Sequence, residues 1–473
     1  MSLESWFQIK DKGSTIYREI IGGVTTFFAL SYIIFVQPVI LSQCGMDKSA
    51  VMFATCFCSA FACFIMGFWA NLPIALAPAM GHNFFFAFTV CGAAAIGGFG
   101  LTWQEALAAN LIAGILFLLL SIGGIRTIIM RAVPEGLKFA IAAGIGLLIA
   151  YEGFKRSGIL VRHPSDMYIT LGNVLNPVTL LSIFSLLVLG LLLALRLRGA
   201  ILLGMILTAV VGYYATRFWG DNWGYDLVAT PTKGQFPQVF ATAGKVFTGI
   251  GPLFHHKGAV VVLVIFTFLL LDVFDTIGTL IGLGKRADLL QQGKLPRDRQ
   301  ALMADAFGTL SGALVGTSTI TSYVESSAGI NVGARTGLAA VVTGILLLAS
   351  ILAYPFVEVL GTVIRVPAYY LHPAGGEELV TCYPVIAPVL IVIGCYMLPV
   401  VRHIDWDDFS EALPAFLTIM IMLFAMSITD GIAWGFIAYA ALKLFAGKPR
   451  QCPLTVYLCA LLFILYYLFK FYI

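Results

Sequence analysis

Three carboxylates and one amide stand out, because each lies in a stretch otherwise too apolar for it. Asp272 and Asp275 sit in LLLDVFDTIGTLIG. They are three residues apart, so a helix puts them on one broad face. Glu325 sits in GTSTITSYVESSAG, residues 316–329, a hydroxyl-rich interruption between long apolar runs. His82 and Asn83 lie in AMGHNFFF, ahead of Phe84, Phe85 and Phe86. A carboxylate at mid-bilayer costs about 2.5–3.5 kcal/mol on insertion scales, so intramembrane acids mark solute, ion or proton sites by default. An amide both donates and accepts hydrogen bonds, and an aromatic face stacks on a flat ring. That combination suits a neutral planar solute better than a sugar or a bare ion.

Plainer readings stand beside these. Asp272 and Asp275 could be structural, capping a broken helix or bonding Thr276 and Thr279. The two roles could also divide between them. Gly278 and Gly282 would then admit another backbone closely. Thr319, Thr321 and Ser322 are good N-caps for a half-helix starting near 322, with Glu325 one turn in. Burial and a helix N-terminus act oppositely on a carboxyl's proton affinity, a balance that suits proton coupling. The alternative for Glu325 is a capping box, since Ser322-x-x-Glu325 matches that pattern. Phe85 and Phe86 read as packing, Phe84 reads equally as packing or stacking, and His82 could be a satisfied buried imidazole. His255 and His256 read as solvated, and Arg335 as an interfacial anchor.

These residues need a membrane scaffold, and the composition supplies one. Of 473 residues, 60% are hydrophobic and 11% charged, against about 25% charged in ordinary soluble domains. Mean hydropathy is +0.94. Repeated apolar runs of about twenty residues specify an all-α polytopic membrane protein. Neither a phosphate-binding Walker loop nor a GxSxG elbow is present, which argues against an ATP-driven pump or a serine hydrolase. The nine cysteines lack paired CxxC spacing and read as small buried hydrophobes rather than metal ligands. The N-terminus lacks the pattern of a cleaved signal, so insertion is expected to rely on the first transmembrane helix.

Spans are expected near 20–42, 49–70, 75–92, 105–124, 136–152, 178–196 and 199–217. A long polar loop follows. A second set is expected near 259–284, 300–315, 322–334, 335–354, 384–402, 412–428 and 430–446. The run 453–472 could cross the membrane or lie along it. The third and tenth segments are interrupted, and each reads as a short extended piece followed by a half-helix. Interruptions at matching positions of two halves are the best sequence pointer to a transporter site. Seven spans per half makes the second copy inverted, a 7+7 repeat. With the N-terminus inside, the inside segments hold most of the 28 lysines and arginines. The densest cluster, Lys285, Arg286, Lys294, Arg297 and Arg299, falls there, as the positive-inside rule requires.

APAMGHNFFFAFTV, FDTIGTLIG and GTSTITSYVESSAGINVGARTGL together resemble the adenine/guanine/hypoxanthine permeases, the azaguanine-resistance branch of the xanthine/uracil permease family. DDFSEALPAFLTI and SITDGIAWGF, within 407–436, are similar to that branch as well. The resemblance covers nearly the whole chain. It implies a core domain at 20–124 and 259–354 and a gate domain at 125–217 and 384–446. Residues 1–19 would be a cytoplasmic segment, 218–258 an extracytoplasmic loop, and 453–473 a C-terminal hydrophobic segment. It further implies elevator-type import of a purine nucleobase by cation symport, without enzymatic activity or a bound cofactor. The cation would be H⁺, with Na⁺ the alternative. The protein would sit in the cell membrane with its N-terminus cytoplasmic. The expected partners are the bilayer, a purine base and a second copy in a homodimer, with no nucleic acid.

Carried over by motif, the substrate set is Asn83, Phe84, Asp272, Asp275, Glu325 and Ser326. Proton coupling falls to Glu325 and the aspartates. Which aspartate faces the base is left open by motif alone. The common family form reads roughly APGMGLNAFF, and Ala79, His82 and Phe84 depart from it here. His82 therefore becomes a candidate selectivity residue.

Overall fold

The computed structural model describes residues 2–93, 98–122, 133–163, 168–220, 223, 225–230, 238–256, 258–289, 295–372 and 375–471. Lys294 and most of the 125–138 connection lie outside the described residues. Helices dominate, and among the described residues nine are long and apolar enough to cross a membrane. They include Ile16–Ser42, Lys48–Ala70, Trp103–Ile122, Glu135–Arg156, Val260–Arg286 and Ile428–Phe445. Shorter apolar helices include Phe409–Phe424 and Leu454–Leu465.

Polar side chains set where many of these helices begin. Thr15, Asp47, Asn176, Thr336, Asp408 and Ser427 each accept a hydrogen bond from a first-turn backbone N–H. Such caps satisfy donors that a helix start leaves open. Glu19 does the same job from a distance. It is fully buried and accepts from the backbone N–H groups of Arg335 and Thr336, at 2.8 and 3.2 Å. Arg335 donates its guanidinium to the carbonyls of Ile330 and Ala334. It thus also clamps the end of the helix Ser326–Val332.

Close backbone approach binds the first helix to the second half of the chain. A Cβ added to Gly22 would stand 2.6 Å from the Cβ of Ala334. The N-terminal segment folds over the same end. Phe7 and Ile9 pack on Leu338 and Val341, and the Asn71 amide bonds Phe7 and Gly337.

Two runs abandon the helix. One holds strand β1, Leu76–Pro78, and continues as the helix Met80–Phe84 and a π-helical stretch Phe85–Val90. The other holds strand β2, Ile320–Ser322, and continues as the helix Ser326–Val332. The two strands pair antiparallel, Leu76 opposite Ser322, Ala77 opposite Thr321 and Pro78 opposite Ile320. Flanking bonds lengthen the ladder, from Ala79 N–H to the Thr319 carbonyl and from Tyr323 N–H to the Ala75 carbonyl.

The local sequence explains the second break. Gly316, at φ +107°, ends the helix Asp298–Val315, a conformation that costs glycine least. Thr317, Thr319, Ile320 and Thr321 are β-branched and favour extended backbone. At membrane depth, backbone outside a helix must find partners, and each stretch supplies them to the other.

Candidate functional site

The side chains of residues 317–322 reach at least five different parts of the chain. Gln37 donates to the hydroxyls of Thr317 and Ser318, at 3.1 and 2.9 Å. Ser318 also donates its hydroxyl to the side-chain Oδ1 of Asn83. Thr319 donates to Asn110 Oδ1 at 2.5 Å, and Thr321 to Asp275 Oδ2 at 3.2 Å. Ser322 gives both its backbone N–H and its hydroxyl to Asp305 Oδ1, at 2.8 and 3.1 Å. Thr319, Thr321 and Ser322 are therefore not caps of a half-helix starting near 322. That helix starts at Ser326, and Glu325 stands just before it without capping it. The capping-box reading falls with it, because the Ser322 hydroxyl is committed to Asp305.

The structure separates the two aspartates of the Gly258–Arg286 helix. Asp275 is exposed although it lies deep in an apolar helix. Gly278, Gly282, Lys285 and Arg286 continue the same open stripe toward the helix end. A Cβ added to Gly278 or Gly282 would meet nothing within 4 Å. These glycines thus border open space rather than a tight helix contact, which corrects that expectation. Asp272, one turn earlier, is only 2% exposed. Its nearest donor is the Thr309 hydroxyl at 3.5 Å, and its Oδ1 has no hydrogen-bond partner among the described residues.

Glu325 is half-buried, beside the 59%-exposed Val324. The Tyr32 hydroxyl donates to its Oε1 at 2.8 Å. Tyr323, next in the strand connection, sends its hydroxyl to the Pro78 carbonyl at 3.0 Å. Asp275 and Glu325 are thus the carboxylates that reach an open face at the strand pair, each held by one hydroxyl. An ionised carboxylate has about four lone-pair sites, so most of its accepting capacity remains for a ligand.

The partner stretch is enclosed. Asn83 is fully buried, and its amide nitrogen lies 3.7 Å from Met80 Sδ. Phe84 is 1% exposed and packs its ring 5.2 Å from that of Phe88. His82 is 2% exposed, with Nε2 unpartnered among the described residues. Ser326 is buried, and its hydroxyl accepts from the Ala75 backbone N–H at 3.0 Å. In this conformation, therefore, Asn83 and Ser326 brace the ladder, and Phe84 and His82 are enclosed beside it rather than lining an open face.

Sequence reading missed two residues. Asp305 is fully buried and accepts from three donors, the third being Thr276 at 2.8 Å. Its place in MADAFGTL, an acid within the span expected near 300–315, was the available signal. Tyr32 is 1% exposed and sits in SYIIFV, where nothing marks it apart from its neighbours. His255 and His256 are exposed, as expected, and His256 Nε2 lies 3.0 Å from Glu105 Oε1.

The resembling stretch near 407–436 has a separate role. Lys443 is 2% exposed and paired with Glu411 at 2.8 Å and Ser410 at 2.7 Å. The pair borders a polar cavity of about 440 Å³ together with Glu135 and His403. This cavity shares no lining residue with the strand pair.

A model of the permease family (Xan_ur_permease) matches residues 17–368. The chain belongs to the xanthine/uracil permease family. It is therefore a multi-pass membrane transporter and not an enzyme. It is 38% identical to the guanine/hypoxanthine permease PbuG of Bacillus subtilis, over 99% of this chain and 100% of that one. It is 38% identical to the adenine permease AdeP of Escherichia coli, over 98% and 95%. Among solved structures, the transmembrane domain of the cyanobacterial bicarbonate transporter BicA aligns at TM-score 0.58 and 15% identity, covering 86% of this chain and 96% of that one. SLC26A9 aligns at 0.59 and 12%, covering 93% and 66%. At those identities the likeness is one of fold.

Proposed function

We propose that this chain imports a purine base of the adenine, guanine or hypoxanthine class together with a cation, H⁺ in the first reading and Na⁺ as the alternative. The observation that carries the proposal is the pair Asp275 and Glu325, open beside the strand pair and each backed by a single hydroxyl. Carboxylates in that state accept from the N–H edge of a purine ring and can exchange a proton as the base arrives or leaves. The relatives named for adenine and for guanine/hypoxanthine, aligned end to end with this chain, support the same class.

Asp275 is the aspartate assigned to the base, and Asp272 supports the helix packing around it. Asn83 acts through Ser318, positioning the strand that carries Thr321. Transport is assigned to an elevator cycle over fourteen spans. The core, 20–124 with 259–354, would move against the gate, 125–217 with 384–446. Gly81 supports such a sliding contact, because a Cβ there would lie 3.2 Å from Ile145 on the facing gate helix. The protein would sit in the cell membrane with its N-terminus cytoplasmic, and a second copy packed through the gate completes the proposed assembly.

The test is uptake of a labelled panel of adenine, guanine, hypoxanthine, xanthine and uracil in transport-null cells, with and without a proton uncoupler. Purine uptake lost on uncoupling is the expected result. A preference for xanthine or uracil would move the substrate class within the family. The fold of a bicarbonate transporter raises a second reading, anion transport. Carboxylates open to the crevice repel an anion, so sulfate and bicarbonate should leave purine uptake unchanged.

A further inference from the structure

An aromatic groove lies on the outer surface of the helices Lys48–Ala70 and Asp298–Val315. It has a volume of about 480 Å³ and is lined by Phe61, Phe64, Ile65, Phe68, Trp69 and Phe307. Phe61, Phe68 and Trp69 are 42–50% exposed, and the Trp69 and Phe307 rings stand 6.4 Å apart. The lining offers almost no polar surface, and its volume falls in the range of small-molecule sites. On a membrane-spanning helix such a groove faces hydrocarbon, and Trp at a helix end marks the headgroup level.

Two cations stand at the rim. Arg297 is exposed and sends Nη1 to the Trp69 carbonyl at 3.4 Å. Lys12 of the N-terminal segment donates to the Asn71 carbonyl, two residues beyond Trp69, at 2.8 Å. That bond uses one of three ammonium donors. Among the described residues neither cation has an ion-pair partner, whereas nearby Lys10 is paired with Glu4 at 3.0 Å. Burial and the Arg297 charge push the Lys12 ammonium down to about 8, with only partial relief from Glu19. Two neighbouring cations, with the Glu19 carboxylate only partly offsetting Lys12, therefore crown an apolar groove.

We infer that this groove binds an anionic phospholipid, with one acyl chain along the Phe61–Phe307 lining and the phosphate between Lys12 and Arg297. The lipid bridges the N-terminal segment to the two helices that carry the groove. Zwitterionic lipids fit the groove but carry their own ammonium to the rim, so they bind less well. This site shares no residue with the proposed purine site, and its test does not depend on transport.

The experiment is native mass spectrometry of the purified full-length protein, delipidated and then offered phosphatidylglycerol or phosphatidylcholine of matched chains. One phosphatidylglycerol should be retained in preference. Arg297→Gln should lower that preference about fivefold, as expected for one basic residue near an anionic headgroup. Phe61→Ala, which leaves the rim intact, should weaken retention of both lipids. Lys12→Gln also loses the bond to Asn71 and could loosen the N-terminal segment, so Arg297→Gln is the deciding variant. Equal retention of the two lipids by the wild type, or an unchanged preference in Arg297→Gln, overturns the assignment. Displacement of the lipid by millimolar inorganic phosphate overturns the acyl-chain part, because a headgroup site alone would behave that way.

Discussion

The two interrupted stretches, 75–90 and 316–332, pair with each other through one short antiparallel ladder. Their chemistry differs. The second stretch presents Val324 and Glu325 toward open space and sends Thr321 to an exposed aspartate. The first keeps His82, Asn83 and Phe84 within 2% of full burial. In the proposed function, one half of the pair carries the surface that meets the base, and the other holds it in place. Pairing in one ladder therefore does not imply shared duty. Exposure separates the two, as it separates Asp275 from Asp272 one turn away on the same helix.

The sharpest way to break that comparison is to neutralise the presenting half. Glu325→Gln should reduce purine uptake to background while the purified protein keeps its wild-type melting temperature. Wild-type uptake in that variant would falsify the assignment. Tyr32→Phe removes one hydrogen bond to a carboxylate, a contact of about 1.5–3 kcal/mol, and should weaken uptake roughly tenfold or more with the fold intact.

The aspartates provide the next test. Asp275→Asn should impair uptake with little change in thermal stability, while Asp272→Asn should change stability more than transport. An opposite pattern would reverse their roles. Asp305→Ala leaves the Ser322 N–H and the Thr276 hydroxyl without their acceptor. At about 1–3 kcal/mol for each unsatisfied group, the melting transition should fall clearly, and uptake with it.

The smallest effects are expected in the enclosed half. Asn83→Ala should cost about 1–3 kcal/mol by orphaning Ser318, measured by thermal unfolding in detergent. Phe84→Leu, a change of shape within a packed core, should cost under about 1.5 kcal/mol and leave base selectivity unaltered. A shift in selectivity without loss of stability would show that this half reaches the substrate after all.

The membrane class was legible because apolar runs are long and charges few. Both interruptions were legible because Pro78 and Gly81, and the hydroxyl run from Thr317 to Ser322, cannot continue an apolar helix comfortably. Glu325 and Asp275 were legible as charges in the wrong solvent, and the three motifs pointed to the permease family. Burial of Asn83 was not legible. It depends on Ser318, 235 positions away, and no local pattern encodes such a contact. The start of the second half-helix was placed four residues early for a related reason. Ser322 is an apt cap in isolation, but Asp305 takes both of its donors. Asp305 itself escaped notice because its helix is less apolar than its neighbours, so one more acid drew no contrast.

The ladder between β1 and β2 has only three paired residues per strand, and side chains alternate faces along a strand. A slip of one residue would turn Thr321 away from Asp275 and aim its neighbours there instead. The same slip would move Ser322 off Asp305. The spelling of the site is therefore set by alignment, much as a vernier is read by which two marks coincide. A mutation far from any ligand could scramble that reading without removing a single functional group.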